Sequence, residues 1–136
     1  ELRNDHGQPL AWAVGGENVE LVVEAVALQH LSSPIVGFVV KDRLGQTLFG
    51  DNTFIVYEHQ PCECKVGQIL SAVFQFQMPR MPVGDYSITI AIADGTQQEH
   101  VQHQWIFDAI TFRSESTSIA AGLVGIPMAH ISMDAR

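Results

Sequence analysis

The stretch Tyr86-Ser87-Ile88-Thr89-Ile90-Ala91-Ile92-Ala93 decides the fold. Large apolar residues at 86, 88, 90 and 92 alternate with small ones at 87, 89, 91 and 93. Successive side chains of an extended strand point to opposite faces, so this period of two marks a β-strand with one buried face. A helix would place 86 and 88 about 200° apart around its axis and gain no common apolar stripe from this pattern.

Working outward, the neighbouring segments repeat the signal. Pro79, Pro82 and Gly84 mark a corner before the strand, and Asp94–Thr96 reverses the chain after it. Val66–Gln77 places Leu70, Ala72, Phe74 and Phe76 on one face and Ser71, Val73, Gln75 and Gln77 on the other. Pro34–Lys41 offers Val36, Phe38 and Val40 as core. Val19–Leu28 is rich in Val and leans to strand over helix. Short strands are expected at Gln46–Phe49 and Phe54–Tyr57, an edge strand at Leu10–Val14, and a turn at Gly50–Thr53. Glu99–Arg113 is the longest strand candidate. Strands at this spacing predict an all-β chain, a sandwich or a barrel.

Composition bounds the rest. The chain has 136 residues, 46% hydrophobic and 16% charged, which suits one globular domain over residues 1–136. Residues 1–16 read as an approach segment, and 114–136 as a polar linker with an apolar last strand, Ile119–Ile131, that can cross to a second subunit. The first residue is Glu1 and no leader or membrane-spanning apolar run is present, so the chain is expected to be a piece of a longer protein. A formal charge of −8 with only seven Lys and Arg argues against nucleic acid and anionic membranes. Cys62 and Cys64 are too close to bridge without strain and lack zinc-finger partners; they read as reduced thiols in a loop.

Chemistry-bearing motifs are sparse. Gly15-Gly16 matches no phosphate-binding loop, and there is no G-x-S-x-G elbow. The carboxylates sit mostly in turns, at Asp42, Asp51, Asp85 and Asp94, and no paired-carboxylate pattern is demanded. His100 and His103 point to opposite faces of a strand, a poor geometry for a metal. No catalytic residue, metal or cofactor is expected.

The long strand supplies the sharper expectation. Ile106, Ile110 and Phe112 form one face; His103, Trp105 and Phe107 form the other. If the first face is core, aromatic rings stand where a sandwich normally carries polar groups. Flat rings match the C–H patches of sugars, and nearby polar side chains orient hydroxyls. Pairing with the Tyr86 strand gives a shallow groove. Its floor is Ser87, Thr89, Ala91 and Ala93, and its wall is His103, Trp105 and Phe107. Lys41, at the end of its strand, completes the carbohydrate-binding set. In the opposite register, Trp105 and Phe107 are core, or a partner subunit covers them. Asp42, Gly45, Gly50, Asn52 and Thr53 are read as turn formers.

The run Val36-Gly37-Phe38-Val39-Val40-Lys41-Asp42-Arg43-Leu44-Gly45-Gln46-Thr47-Leu48-Phe49-Gly50-Asp51-Asn52-Thr53, the Pro82–Ile88 corner with Gly84 and Tyr86, and the His103–Phe112 strand resemble the C-terminal domain of Wzt-type proteins. These are ATPase subunits of ABC transporters that export O-antigen polysaccharide. The resemblance runs from about Gly16 to Ile131. It implies an immunoglobulin-like antiparallel β-sandwich that is not itself an enzyme. The implied ligand is exported O-antigen polysaccharide, at its non-reducing terminal region. It also implies a homodimer through exchange of the last strand, a transmembrane transporter subunit as partner through an N-terminal domain, and a place at the cytoplasmic face of the bacterial inner membrane. The competing reading is a structural dimerisation domain with no ligand of its own.

Overall fold

A computed structural model describes residues 1–95, 100–116 and 122–136; for 100–103 it describes the main chain only. Among the described residues, eight strands and one short helix follow in order: β1 (Leu2–Asn4), β2 (Trp12–Ala13), β3 (Asn18–Val26), β4 (Pro34–Lys41), β5 (Thr47–Asn52), α1 (Phe54–Tyr57), β6 (Ile69–Gln77), β7 (Gly84–Gly95) and β8 (His100–Ser114). They build two sheets, β1-β3-β6 and β2-β8-β7-β4-β5. All pairings are antiparallel except β2 with β8. The chain is an immunoglobulin-like β-sandwich.

The faces follow the alternation. Tyr86, Ile88, Ile90 and Ile92 are buried, as are Val36, Phe38 and Val40 from β4 and Leu70 and Ala72 from β6. Across from them Val19 and Leu21 of β3 close the core. Phe38 is its hub: its ring centroid lies 4.9 Å from Phe74, 5.8 Å from Phe76 and 6.4 Å from Phe49. Leu2 and Ala13, from within residues 1–16, are almost fully buried in the same core.

Several local expectations are corrected. Phe54–Tyr57 is a helical turn, not a strand. The Asn52 side-chain oxygen accepts from the Phe54 N–H, which turns the chain at the start of α1. Gly50–Asn52 continue β5 rather than turning; the chain turns only at Thr53, whose hydroxyl accepts from Val36 N–H. Residues 66–68 form a turn, and β6 begins at Ile69, because Gly67 takes a positive φ and donates to Ala27 O. The predicted polar linker at 114–118 is packed where it is described: Ser114 ends β8, buried, with Oγ donating to Met81 O at 2.7 Å, and Ser116 is buried too. Within Ile119–Ile131, residues 119–121 lie outside the described residues. The described part forms no strand; it meets the sandwich through a bridge from Arg80 to Gly125, with Val124 packed against the core and Pro127 beside Gly16.

Tyr86 locks the corner. Its hydroxyl donates to Pro82 O at 2.7 Å while its ring stacks on Phe112. Burial, and next the charge of Asp42, push the Tyr86 phenol above its ordinary value. A phenol whose folded pKa is raised stabilises the fold fully below the unfolded value of about 10 and loses that contribution as pH rises through the folded one. Tyr86→Phe strands the Pro82 carbonyl, so chemical denaturation at neutral pH should show a loss of about 1–2 kcal/mol. The variant should also lose stability less steeply above pH ~10 than the parent. An unchanged midpoint at neutral pH would remove the corner's assigned role.

Candidate functional site: an outward groove on the five-stranded sheet

The register of the larger sheet builds the site row by row. On its outward face, Asn52 of β5 lies opposite Gly37 of β4, Gly37 opposite Ala91 of β7, and Ala91 opposite Trp105 of β8. This row crosses four strands, about 14 Å at normal strand spacing. Its two middle members carry at most a methyl group. Asn52 and Trp105 therefore stand as walls over a floor of glycine and alanine. The next rows pair Ile35 with Ala93 and Gly50 with Val39 with Thr89. Together they enclose an open groove of roughly 530 Å³.

Trp105 does face outward, as expected from the first register. It is 46% exposed, and its ring stacks on Phe107 with centroids 5.8 Å apart and planes 11° from parallel. Ile110 and Phe112 point inward, opposite Ile88 and Tyr86. Ile106 lies opposite Ile90 and is half exposed.

The strand reaches this arrangement through a bulge. Ile88 pairs with Ile110 and Ile90 with Ile106, so residues 107–109 face the single residue Thr89. Asp108 takes φ 50°, a left-handed conformation that aspartate tolerates better than most residues. Its N–H donates to Thr89 Oγ1 at 3.3 Å. The insertion keeps the inward–outward parity and displaces Phe107 out of the ladder.

The sequence-based set is thus partly assembled. Trp105, Thr89, Ala91 and Ala93 line the groove. Phe107 adjoins it through Trp105. Lys41 reaches Phe107 across β7, with Nζ 5.5 Å from the ring centroid, a cation–π contact. Ser87 lies beside Lys41 in the register, away from the groove lining. Thr89 is fully buried, and its hydroxyl accepts from the Asp108 N–H within the bulge that follows Phe107. The side chain of His103 lies outside the described residues. Sequence reasoning missed the β4 and β5 side: Ile35, Gly37, Val39, Gly50 and Asn52. Gly37 inside an apolar strand was the available signal, since such a glycine often marks a close approach.

No group of three or more His, Cys, Asp or Glu able to hold a metal occurs among the described residues. Cys62 is exposed and Cys64 buried, both as free thiols. No helix among the described residues is long and apolar enough to cross a membrane.

A second cleft, of roughly 490 Å³, opens between the two sheets, lined by Val23, Ala25, Leu28, Leu70, Ile92 and Ile106 among others. It lies where both sheets end in open edges. Beyond Val22 no strand pairs with β3 on the β1 side, and β2 covers only Arg113 and Ser114 of β8, among the described residues.

Comparison with known proteins gives a consistent result. A family model described as the Wzt C-terminal domain matches residues 1–126. A solved structure titled "Crystal structure of the C-terminal domain of wzt" superposes with a TM-score of 0.80 at 17% identity, covering 97% of this chain and 80% of that one. No curated protein sequence matches.

Proposed function

The chain belongs to the Wzt C-terminal domain family, and on that premise we propose that it is the substrate-reading domain of an O-antigen ABC transporter. The ligand is the exported polysaccharide, held in the groove between Asn52 and Trp105. The observation that carries this reading is the row Asn52–Gly37–Ala91–Trp105. It gives an exposed indole beside a floor with no side chain larger than methyl, on a face where water would otherwise be. An aromatic plane buries the C–H patch of a sugar ring, and the small floor lets the ring approach the sheet. The domain carries no chemistry of its own. It works from an ATPase subunit at the inner face of the bacterial inner membrane, alongside a transmembrane subunit.

Ala91→Leu tests the groove. The side chain is outward, so the core is untouched, but an isobutyl group fills the floor between Gly37 and Trp105. Isothermal titration with the purified O-polysaccharide of the source bacterium should show at least tenfold weaker binding than the parent. Equal binding would move the ligand elsewhere.

Dimer formation is the second part of the reading. Leu123, Ile126, Met128, Ile131 and Met133 of the tail are all more than half exposed. An apolar tail and an apolar cleft flanked by two open strand edges suit each other across two copies of the chain. Two linked groove sites would raise the effective affinity for a chain with repeated units. Removing residues 122–136 should convert the dimer to a monomer in light scattering. A dimer that survives the truncation would exclude tail exchange. If the parent is dimeric yet binds no polysaccharide at millimolar concentration, the domain is a dimerisation module alone.

A further inference from the structure

The outward groove has a sharply limited polar inventory. Of its lining, the Asn52 Oδ1 already accepts from the Phe54 N–H, and the Thr89 hydroxyl oxygen accepts from the Asp108 N–H. Asp51 reaches the groove but pairs with Phe38, whose ring is in the core, so strand parity puts its carboxylate on the other face. No Lys or Arg belongs to the lining, and Lys41 is engaged with Phe107 outside it. Beside the Asn52 amide group and the main chain of β4 and β5, the remaining side-chain surface is Ile35, Val39, the small floor and the indole.

We infer that the groove selects uncharged sugars that turn a methyl-bearing, hydroxyl-poor edge to the sheet, and discriminates against uronic acids and phosphorylated sugars. This rests on the sugar-binding reading above and narrows it. A carboxylate or phosphate entering the groove finds no described cation to pair with and loses part of its hydration, a cost without return. A hydroxymethyl group faces the same deficit of partners in milder form. A methyl group has nothing to lose and meets Ile35, Val39 or Ala91. The overall charge of −8 adds long-range repulsion of anions in low salt.

The test is a matched series differing only at C6. Methyl glycosides of the 6-deoxyhexose, the parent hexose and the hexuronic acid are titrated into the isotope-labelled chain, in galacto, gluco and manno configurations. The indole N–H of Trp105 and the amide of Ala91 report binding by NMR. In whichever configuration binds, the 6-deoxy sugar should bind about fourfold more tightly than its parent, which must strip its C6 hydroxyl of water without gaining a partner. The uronate should bind at least tenfold more weakly than the parent hexose. Tighter binding of the parent hexose or of the uronate overturns the inference and leaves the sugar-binding reading in place. If no member of any series moves either resonance, the groove is not a sugar site and both fall.

Discussion

Trp105→Ala should abolish polysaccharide binding while the domain stays folded. The indole is 46% exposed and packs mainly on Phe107, itself 66% exposed, so little core packing is lost. The unfolding midpoint should shift by no more than roughly 0.5 kcal/mol, the usual range for surface positions. The binding effect is far larger in proportion. A large aromatic side chain covered by ligand contributes about 1.5–3 kcal/mol, tenfold to more than a hundredfold in affinity. Shallow sugar sites bind weakly to begin with, because hydroxyls are costly to strip of water. Losing that factor takes binding out of the measurable range. Trp105→Phe should retain part of it. Normal polysaccharide binding by Trp105→Ala, with an unchanged fold by circular dichroism, would disprove the groove.

Phe38→Ala is the corresponding extreme for stability. The ring is 6% exposed and is surrounded by Phe49, Phe74 and Phe76. Truncating a buried phenylalanine to alanine costs about 3–5 kcal/mol through lost transfer energy and the cavity left behind. That is a large share of the 5–15 kcal/mol typical of a domain. The thermal midpoint should fall by roughly 10–20 °C. Phe38 also ties the sheets together beneath the groove, since its main chain contributes to the lining between Gly37 and Val39. Binding should therefore weaken in the variant as well, and recover at temperatures where it is folded. A loss below ~1 kcal/mol would mean the aromatic cluster repacks without it.

The fold was legible where one face of a strand is uniformly buried. Tyr86–Ile92, Val36–Val40 and Leu70–Phe76 carry their burial in their alternation, and the structure places each side chain as the period demands. It was illegible where local chemistry outweighs propensity. Phe54-Ile55-Val56-Tyr57 is β-branched and aromatic, yet it coils, because the preceding Asn52 takes a backbone N–H that a strand would have used. Gly50 suggested a turn by its identity alone. Its real constraint is contact: a Cβ there would run into the Phe38 carbonyl. The 107–109 bulge carries no glycine to announce it. It shows only in three dimensions, in the shifted register around Thr89, the positive φ of Asp108 and the Asp108 N–H to Thr89 hydrogen bond.

The site divides along the same line. Trp105, Ala91 and Ala93 follow from the face of one hairpin, which sequence periodicity supplies. The opposite wall comes from β4 and β5, joined to that hairpin only by tertiary pairing of Gly37 with Ala91 and Asn52 with Gly37. Nothing local in the β5 sequence says that its edge will stand across from an indole.

The architecture of the groove has an engineering consequence. Two floor positions, Gly37 and Ala91, and the apolar flank at Ile35 and Val39 are supported from below by a core to which none of their side chains contributes. Their sizes can be varied independently of the packing that holds the sandwich. Gly37 tolerates a methyl if Asn52, 3.2 Å from that Cβ, yields slightly. Gly50 does not share this freedom, since its obstacle is backbone. A library randomised at 35, 37 and 91, with Gly50 and the buried Ala93 held fixed, would retune ligand shape on an unchanged scaffold.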